Sequence, residues 1–546
     1  MAKQAIIHVE NTQNVIELAE FLAKSGWQIL SANKTEQLLA KNKVPVTHES
    51  ALEEKNVYIQ ESSYLMRRVL MTRIDSDIEQ HNPDAKENNI YLLCLNIFPF
   101  FNGLMNNQKM PTTTLKPDNI YISTLLRNAF SNFENLLILT DPADYKEAMI
   151  QLKTDNVTRD FRIYLAAKAL NLISAFDGGI AASILQNPPF NIRFLNYISF
   201  PFRKDMELRQ GTNSQQKACL YRTPVDFGAL NGFSKMSGKD ITYIMAADAT
   251  FAWEQINTLY SLLRNQYTVK SENQDGYPFT TQFTPLTGTV YTIAVKMSNI
   301  LGAGLSSNAL DSFKKAYTYD TQNISDVTLG CSSVIDATAA REMVKCNFSV
   351  IIAPSFTNEA KEIFAENKST KLITSGKANE ISVDGKLMSG GILLQEKDSN
   401  LFKHWKIRTK NRPSQVIADE MAFGTRIVMG AHSYSAVLVK GNAIVGIAQS
   451  ALSSIEALER VLADAQKRSA QAQGDGQQEG AQQSPIADVL ICDSAIPFCE
   501  QVTKITDCGV SAILQPGGTA SDSDFANYCD EKNIVMVFTD MTHITF

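Results

Sequence analysis

The sequence predicts an α/β protein built from several layers. Short apolar runs alternate with amphipathic helical stretches through the first 150 residues, and the most apolar runs have the length of buried strands. In order, Ala5 to Val9 reads as a strand, Val15, Leu18, Phe21 and Leu22 as the apolar stripe of a helix, and Trp27 to Leu30 as a second strand. Ile90 to Ile97 and Asn135 to Leu139 add two runs suited to a parallel sheet covered on both faces by helices. Thr158 to Phe176 carries Phe161, Leu165, Ala169 and Leu172 at helical spacing and reads as a connector helix leading into Asp177 to Ile184. Beyond residue 200 the pattern turns α+β. Strands are expected at Tyr291–Val295, Ser349–Ile352, Ala436–Val439 and Val489–Ile491, with a helix at Asn308–Tyr317.

A chain of 546 residues predicts three or four compact units. The divisions fall at 1–150, an α/β domain; 151–200, a helical connector; 201–375; and 376–546. Ala465 to Pro485, rich in Gln, Ala and Gly and nearly free of large apolar side chains, reads as a solvated, disordered insertion. With 44% hydrophobic and 20% charged residues the chain is globular. Lys+Arg 51 against Asp+Glu 57 gives a net charge of −6, which offers no cationic excess for nucleic acid or anionic lipid. No basic run leads into a long apolar core near the start, and Tyr91 to Met105 is too short and interrupted to span a bilayer, so a cytoplasmic address without a membrane partner is expected. The 8 cysteines include no CxxC and read as reduced, mostly buried small hydrophobes.

Generic motifs give little. Gly302 to Ser307 begins like a dinucleotide fingerprint but ends in Ser and has no acidic ribose partner, so it reads as a tight strand-to-helix turn. Gly232 to Asp240 and Ser375-Gly376-Lys377 lack the spacing of a phosphate loop. None of the 6 histidines, His8, His48, His81, His404, His432 and His543, stands at metal-ligand spacing, so no metal site is predicted.

Several segments, in one order along nearly the whole chain, resemble the bifunctional purine biosynthesis family that joins AICAR transformylase to IMP cyclohydrolase. Ser31 to Thr35 followed by Val44-Pro45-Val46-Thr47 resembles the family's SxGGT…IPVT; Asn96 to Phe100 resembles NLYPF, and Asp141 to Tyr145 is DPADY unchanged. Arg162, Leu165, Ala166, Lys168, Ala169 and Asp177 resemble the connector. Leu208 to Gln216 resembles LRYGENPHQ, and Lys296 to Gly302 stands where the family has KHxNPCG. Ile351 to Pro354, Gly390 to Gln395, Gln515 to Gly518 and Met536 to Thr539 resemble IIAP, GGxLxQ, QPGG and MVFTG.

The resemblance implies a methylglyoxal-synthase-like α/β domain followed by two cytidine-deaminase-like α+β subdomains without zinc. It implies a homodimer acting on AICAR, with 10-formyltetrahydrofolate as co-substrate and IMP as final product. Carried over, Lys296 is the catalytic residue; Arg209, Asn213, Asn299, Gly302, Ser31 and Thr35 are nucleotide-binding; and Phe498, Gln515, Gly517 and Gly518 lie on the folate side.

The departures fall on the chemistry. Formyl transfer moves a proton off the attacking amine and onto the leaving nitrogen, which needs a positioned acid/base. Met297 occupies the family's histidine position and cannot carry a proton. No histidine occurs between residues 82 and 403, which leaves His432 and His543 as distant alternatives. Phe98 replaces the family's Tyr and cannot donate to a developing oxyanion. The family's KTLHP neighbourhood reads Ile59 to Tyr64, its SAFGG reads Asn323 to Val327, Ser454 stands where GQxSR places Arg, and Thr542 and Phe546 replace terminal basic residues. Two functions remain open at this level: an active transformylase with a rearranged acid/base, and a catalytically silent paralogue that binds nucleotide or pairs with another chain.

Overall fold

The computed structural model describes residues 3–48, 90–96, 117–185, 190, 192–200, 202–223, 228–233, 241–264, 266–317, 325–366, 369–376, 383–473 and 485–546. Residues 1–203 with 223–225 form one compact unit, and residues 204–222 with 226–546 form a second.

The first unit is a parallel sheet of β1 (Gln4–His8), β2 (Gln28–Ser31), β3 (Thr47–His48), β4 (Ile90–Leu95) and β5 (Leu137–Leu139), in the order β3-β2-β1-β4-β5. Both faces are apolar, so both are covered. Helices α1 (Val15–Lys24) and α4 (Tyr145–Lys153) pack through Leu18, Leu22 and Tyr145 on one side. Helices α3 (Pro117–Phe130) and α5 (Arg159–Leu185) pack through Leu126, Ala169 and Phe176 on the other. A further helix, α2 (Asn33–Lys41), follows β2. The connector helix does not stop at Phe176; α5 runs on through Asp177 to Leu185. Gly178 does not break it, because the missing side chain admits the Cβ of Ser199.

The second unit holds a 13-stranded sheet with an internal duplication. Its first half runs α6 (Tyr243–Leu263), β10 (Val290–Lys296), β11 (Asn299–Ser306), α7 (Ala309–Ala316), β12 (Val327–Cys331), α8 (Ala337–Met343), β13 (Phe348–Ala353), α9 (Asn358–Ala365) and β14 (Lys371–Thr374). Its second half runs α10 (Gln415–Val428), β18 (Ala436–Lys440), β19 (Ala443–Ala448), α11 (Ser454–Gln473), β20 (Val489–Cys492), a 3-10 turn (Glu500–Cys508), β21 (Ala512–Gln515), α12 (Asp522–Glu531) and β22 (Val535–Phe538). The sheet order β14-β13-β12-β10-β11-β19-β18-β20-β21-β22 reads the same outward from the antiparallel β11–β19 junction. The remaining strands are β6 (Arg203–Leu208) with β7 (Ala218–Arg222), the β15 (Val383–Met388) and β16 (Gly391–Glu396) hairpin, and β17 (Trp405–Ile407), β8 (Tyr267–Glu272) and β9 (Pro278–Phe283), which extend the large sheet beyond β22.

Two sequence readings are corrected here. Gly302 to Ser306 is not a turn into a helix but part of β11, paired along its length with β10. Its glycines serve packing: a Cβ on Gly302 would strike the Ala316 carbonyl oxygen, and one on Gly304 the Cβ of Lys315, so their absence lets α7 lie directly on the strand. The Gln-rich insertion starts later than its composition suggests. Helix α11 continues through Gln473, with Ala465 fully buried under Gly446 and the Arg468 guanidinium donating to the Leu301 carbonyl at 3.1 Å. Ala and Gln are good helix formers, and one buried stripe suffices to hold them. The remainder of that segment, 474–484, lies outside the described residues.

All eight cysteines are free, and all but Cys219 and Cys499 are buried. Burial pushes the Cys94 and Cys529 thiols up to about 12. Thiol titration of the native protein is expected to modify Cys219 and Cys499 promptly and the other six only on unfolding. Prompt modification of all eight would contradict this packing. Among the described residues no helix is long and apolar enough to cross a membrane.

Candidate functional site

The two hairpins of the duplicated sheet turn in the same way. Lys296 pairs with Asn299 across Met297 and Ser298, which sit at φ 51 and φ 59; Lys440 pairs with Ala443 across Gly441 and Asn442, at φ 57 and φ 61. Both have the two left-handed central residues of a type I′ turn, which matches strand twist. Each is held by a buried carboxylate from the helix beneath. Asp248 on α6 accepts from the Met297 amide at 2.9 Å and the Ser298 amide at 2.7 Å; Glu420 on α10 accepts from the Asn442 amide at 2.9 Å. The two carboxylates stand at the same offset from the helix caps Thr242 and Ser414, each of which accepts from the third amide of its helix at 3.3 Å. Burial pushes the Asp248 carboxyl up, against the two amides and Lys296; burial likewise pushes Glu420 up.

The duplication also accounts for Lys296. Its ammonium donates to the Ser325 carbonyl at 2.8 Å, just before β12, and Lys440 donates to the Pro485 carbonyl before β20. The Lys296 bond therefore has a counterpart that anchors the returning chain.

Strand directions gather the rest of the site. Because β19 is antiparallel to β11, β18 to β19, and β20 to β18, while β21 is parallel to β20, one sheet edge holds the Lys296–Asn299 turn, the end of β19, the start of β18, and the ends of β20 and β21. Gln449, just past β19, clasps β11 by accepting from the Ile300 amide at 3.1 Å and donating to its carbonyl at 2.9 Å. At the end of β20, Asp493 Oδ2 accepts from Ser433 Oγ at 2.6 Å, from the Ser435 amide at 2.8 Å and from Ser435 Oγ at 2.9 Å. Asp493 Oδ1, Ser494 Oγ and Gln515 Nε2 are buried at this edge without a hydrogen-bond partner. A buried polar atom without a partner costs about 1–3 kcal/mol, and three of those among the described residues fall together on adjacent strand ends.

The predicted residues distribute unevenly. Lys296 and Asn299 share this edge with Gln515, whose Oε1 holds the Ile496 amide at 2.7 Å. Met297 is 56% exposed at the hairpin tip. Gly517 takes φ 75 against the Phe538 ring, and the Gly518 amide donates to Asp522 Oδ2 at the start of α12 at 2.7 Å. Phe498 packs on Phe525 and Tyr528 of α12. Gly302 lies under α7. Arg209 and Asn213 are exposed beside the start of α6, where the Arg209 amide donates to the Ile241 carbonyl at 2.9 Å; the described residues show no hydrogen bond or ion pair joining either to Lys296. Asp248, Gln449, Asp493 and Ser494 were not singled out by sequence as ligand-side groups; the signal available was the equal spacing of cap and carboxylate in the two helices.

In the first unit the hydroxyls of Ser31 and Thr35 are engaged with β1: Ser31 donates to the Ile7 carbonyl at 2.7 Å, and Thr35 both accepts from and donates to Val9 at 3.0 Å. Asn96 secures the loop after β1 by accepting from the amides of Glu10 at 2.8 Å and Asn11 at 3.1 Å. Phe98 and the 59–64 stretch lie outside the described residues. The retained DPADY has a charge partner as well as turn geometry, because Lys168 on α5 meets Asp141 and Asp144 at 2.7 Å each. For Asp141, burial is outweighed by Lys168 and the Ala143 amide, which hold the carboxyl low; for Asp144, burial prevails and raises it.

Residues 129–463, more than half of the sequence, match the family model described as the AICARFT/IMPCHase bienzyme. The chain belongs to that family. Relatives named bifunctional purine biosynthesis protein PurH cover 100% of this chain and 99% of their own: those of Clostridium acetobutylicum and Fusobacterium nucleatum are each 28% identical, and that of Petrotoga mobilis is 25% identical. A solved structure, that of ForH, aligns with 33% of this chain and 97% of its own at 23% identity and a TM-score of 0.29. Among the described residues no group of three or more His, Cys, Asp or Glu side chains is placed to hold a metal ion.

Proposed function

We propose that the chain acts in purine biosynthesis, binding an AICAR-type ribonucleotide at the β10–β11 hairpin edge and transferring to it the formyl group of 10-formyltetrahydrofolate, the product then closing to IMP. The observation that carries the reading is the sheet edge where Lys296 and Asn299 share a border with the unpartnered Asp493 Oδ1, Ser494 Oγ and Gln515 Nε2. A carboxylate oxygen, a hydroxyl and an amide NH₂ offer acceptors and donors suited to the exocyclic amine and carboxamide of such a base. In this reading the first 150 residues form the methylglyoxal-synthase-like domain, 151–200 the connector, and 201–375 and 376–546 two cytidine-deaminase-like subdomains; the duplication about the β11–β19 junction supports that pairing. Arg209 and Asn213 contribute to nucleotide binding, Ser31 and Thr35 shape the cyclohydrolase pocket, and Phe498, Gln515, Gly517 and Gly518 form the folate side.

The chain works as a homodimer in this proposal. Supporting it are exposed large apolar side chains concentrated on two segments, Phe194, Tyr197 and Phe200 on one and Leu387, Met388 and Leu393 on the β15–β16 hairpin.

Calorimetric titration with AICAR is expected to give saturable binding that Asp493→Asn weakens at least tenfold, because the substitution exchanges an acceptor for a donor at the unpartnered position. AICAR binding unaffected by Asp493→Asn, or absent in the wild type, would refute this placement of the nucleotide.

A further inference from the structure

Formyl transfer, the reading on which this inference rests, needs a group that accepts a proton and returns it. The Asp248-held turn presents Met297 where the family has histidine, and the second unit contains three imidazoles, those of His404, His432 and His543. Two are engaged. His404 Nδ1 contacts Asp540 at 2.9 Å; His543 is buried with Nδ1 at 2.6 Å from Asp398 and Nε2 at 3.0 Å from the Leu401 carbonyl. His432 differs. It is half-buried, and its ring makes no hydrogen bond or ion pair among the described residues.

His432 also lies at the candidate edge. Its carbonyl accepts from the Ser450 amide at 2.8 Å, next to Gln449, whose side chain clasps Ile300 beside the Lys296–Asn299 turn. On its other side the following residue, Ser433, donates to Asp493 at 2.6 Å. The backbone of His432 is thus bracketed by the hairpin clasp and the unpartnered ligand-side groups. With adjacent strands about 4.8 Å apart, the two steps from β18 across β19 to β11 place it roughly 10 Å from the turn, a distance that a bound substrate bridges.

We propose that His432 is the acid/base of this chain, replacing from the second half of the duplication the imidazole lost at Met297. As the 5-amine nitrogen of AICAR bonds to the formyl carbon, a ring nitrogen of His432 takes a proton from that amine. As the bond from the formyl carbon to N10 of the folate breaks, the same proton passes to N10, giving formyl-AICAR and tetrahydrofolate with the imidazole restored.

The test measures formyl transfer and AICAR affinity side by side for His432→Ala, His432→Gln and His404→Ala. Both His432 variants are expected to lose about 10²-fold or more in kcat with the AICAR Kd unchanged, and His404→Ala to stay near wild type, since acid/base assistance is worth about 10²–10⁴. Glutamine keeps the size and polarity of the side chain but moves no proton, so a His432→Gln variant with wild-type turnover overturns the role. A wild-type chain that binds AICAR yet transfers no formyl also overturns it, leaving the nucleotide site standing. A chain that binds no AICAR overturns both the role and the site, and calorimetry separates the two failures.

Discussion

Gly302→Val is expected to be the most damaging single substitution in the second unit, destabilising it by about 3 kcal/mol or more. The position is not in the left-handed region, so the cost is steric. A Cβ there meets the carbonyl oxygen of Ala316, which is backbone in α7 and cannot rotate away, and branched Val adds two further carbons in the same space. Overpacking a well-filled core typically costs about 1–3 kcal/mol, and backbone displacement of a whole helix lies at or beyond the top of that range. Helix α7 is tied to the same sheet face by other contacts: Phe313 and Ala316 are buried, and Ser312 Oγ is hydrogen-bonded to Thr292 of β10 and to the Gly304 carbonyl of β11. Moving the helix off the strand breaks them. Gly391→Ala is the matched control, in a strand with nothing within 4 Å of the added carbon, and belongs within about 0.5 kcal/mol of wild type. Urea unfolding of both variants checks the pair. Equal midpoints for Gly302→Val and wild type would show that α7 does not press on β11, and would return Gly302 to the list of residues kept for a ligand.

Periodicity located the strands of both units because their apolar runs are buried on two faces; Tyr291–Val295 and Ser349–Ile352 fall one residue short of the observed strands at each end, and Ala436–Val439 and Val489–Ile491 one residue short at the C-terminal end. Three features were illegible for identifiable reasons. Gly302 and Gly304 read as a turn because a glycine pair signals conformational freedom and close approach equally well, and only the position of α7 tells them apart. The duplication was hidden because the halves share few identities: Asp248 corresponds to Glu420 and Thr242 to Ser414 at one interval, but Lys296 to Lys440 at a shorter one, so like chemistries do not recur with a fixed period. The helix at 465–473 was missed because its apolar surface is mostly alanine, whose burial under Gly446 leaves little trace in hydropathy. At the site, motif matching singled out Lys296 and Gln515; it reached Asp493 and Ser494 only as part of the run Cys492 to Phe498, which resembles the family's SDAFFPF with two aromatics lost, and what distinguishes Asp493 Oδ1 and Ser494 Oγ, the absence of a partner, is not written in sequence.

Asp248→Ala is expected to destabilise the second unit by about 2–4 kcal/mol and to weaken AICAR binding. Asp248 is 1% exposed, and its two oxygens hold consecutive amides of residues at positive φ. Non-glycine residues in that region cost about 1–2 kcal/mol each, so the turn at Met297 and Ser298 depends on an outside hold. Without the carboxylate the turn relaxes, and Lys296 and Asn299 move with it. Ser298→Gly in the same background should recover part of the loss, because glycine adopts positive φ without the steric penalty. Glu420→Ala should disturb its own hairpin less, since Gly441 already occupies one of the two central positions. The pH dependence has a definite sign. Burial raises the folded carboxyl of Asp248 above its ordinary 3.8, so between those two values the folded state binds more protons than the unfolded one. The titration of Asp248 therefore contributes stability that is fully present below pH 3.8 and is lost as the pH rises through the folded value. The stability gap between wild type and Asp248→Ala should narrow as the pH rises from the ordinary carboxyl value of 3.8 towards neutrality. Urea midpoints at the two ends of that range measure it. A gap that widens with pH would mean that the hairpin amides outweigh burial at this carboxylate, and that the turn is held by an ion the fold has fully accommodated.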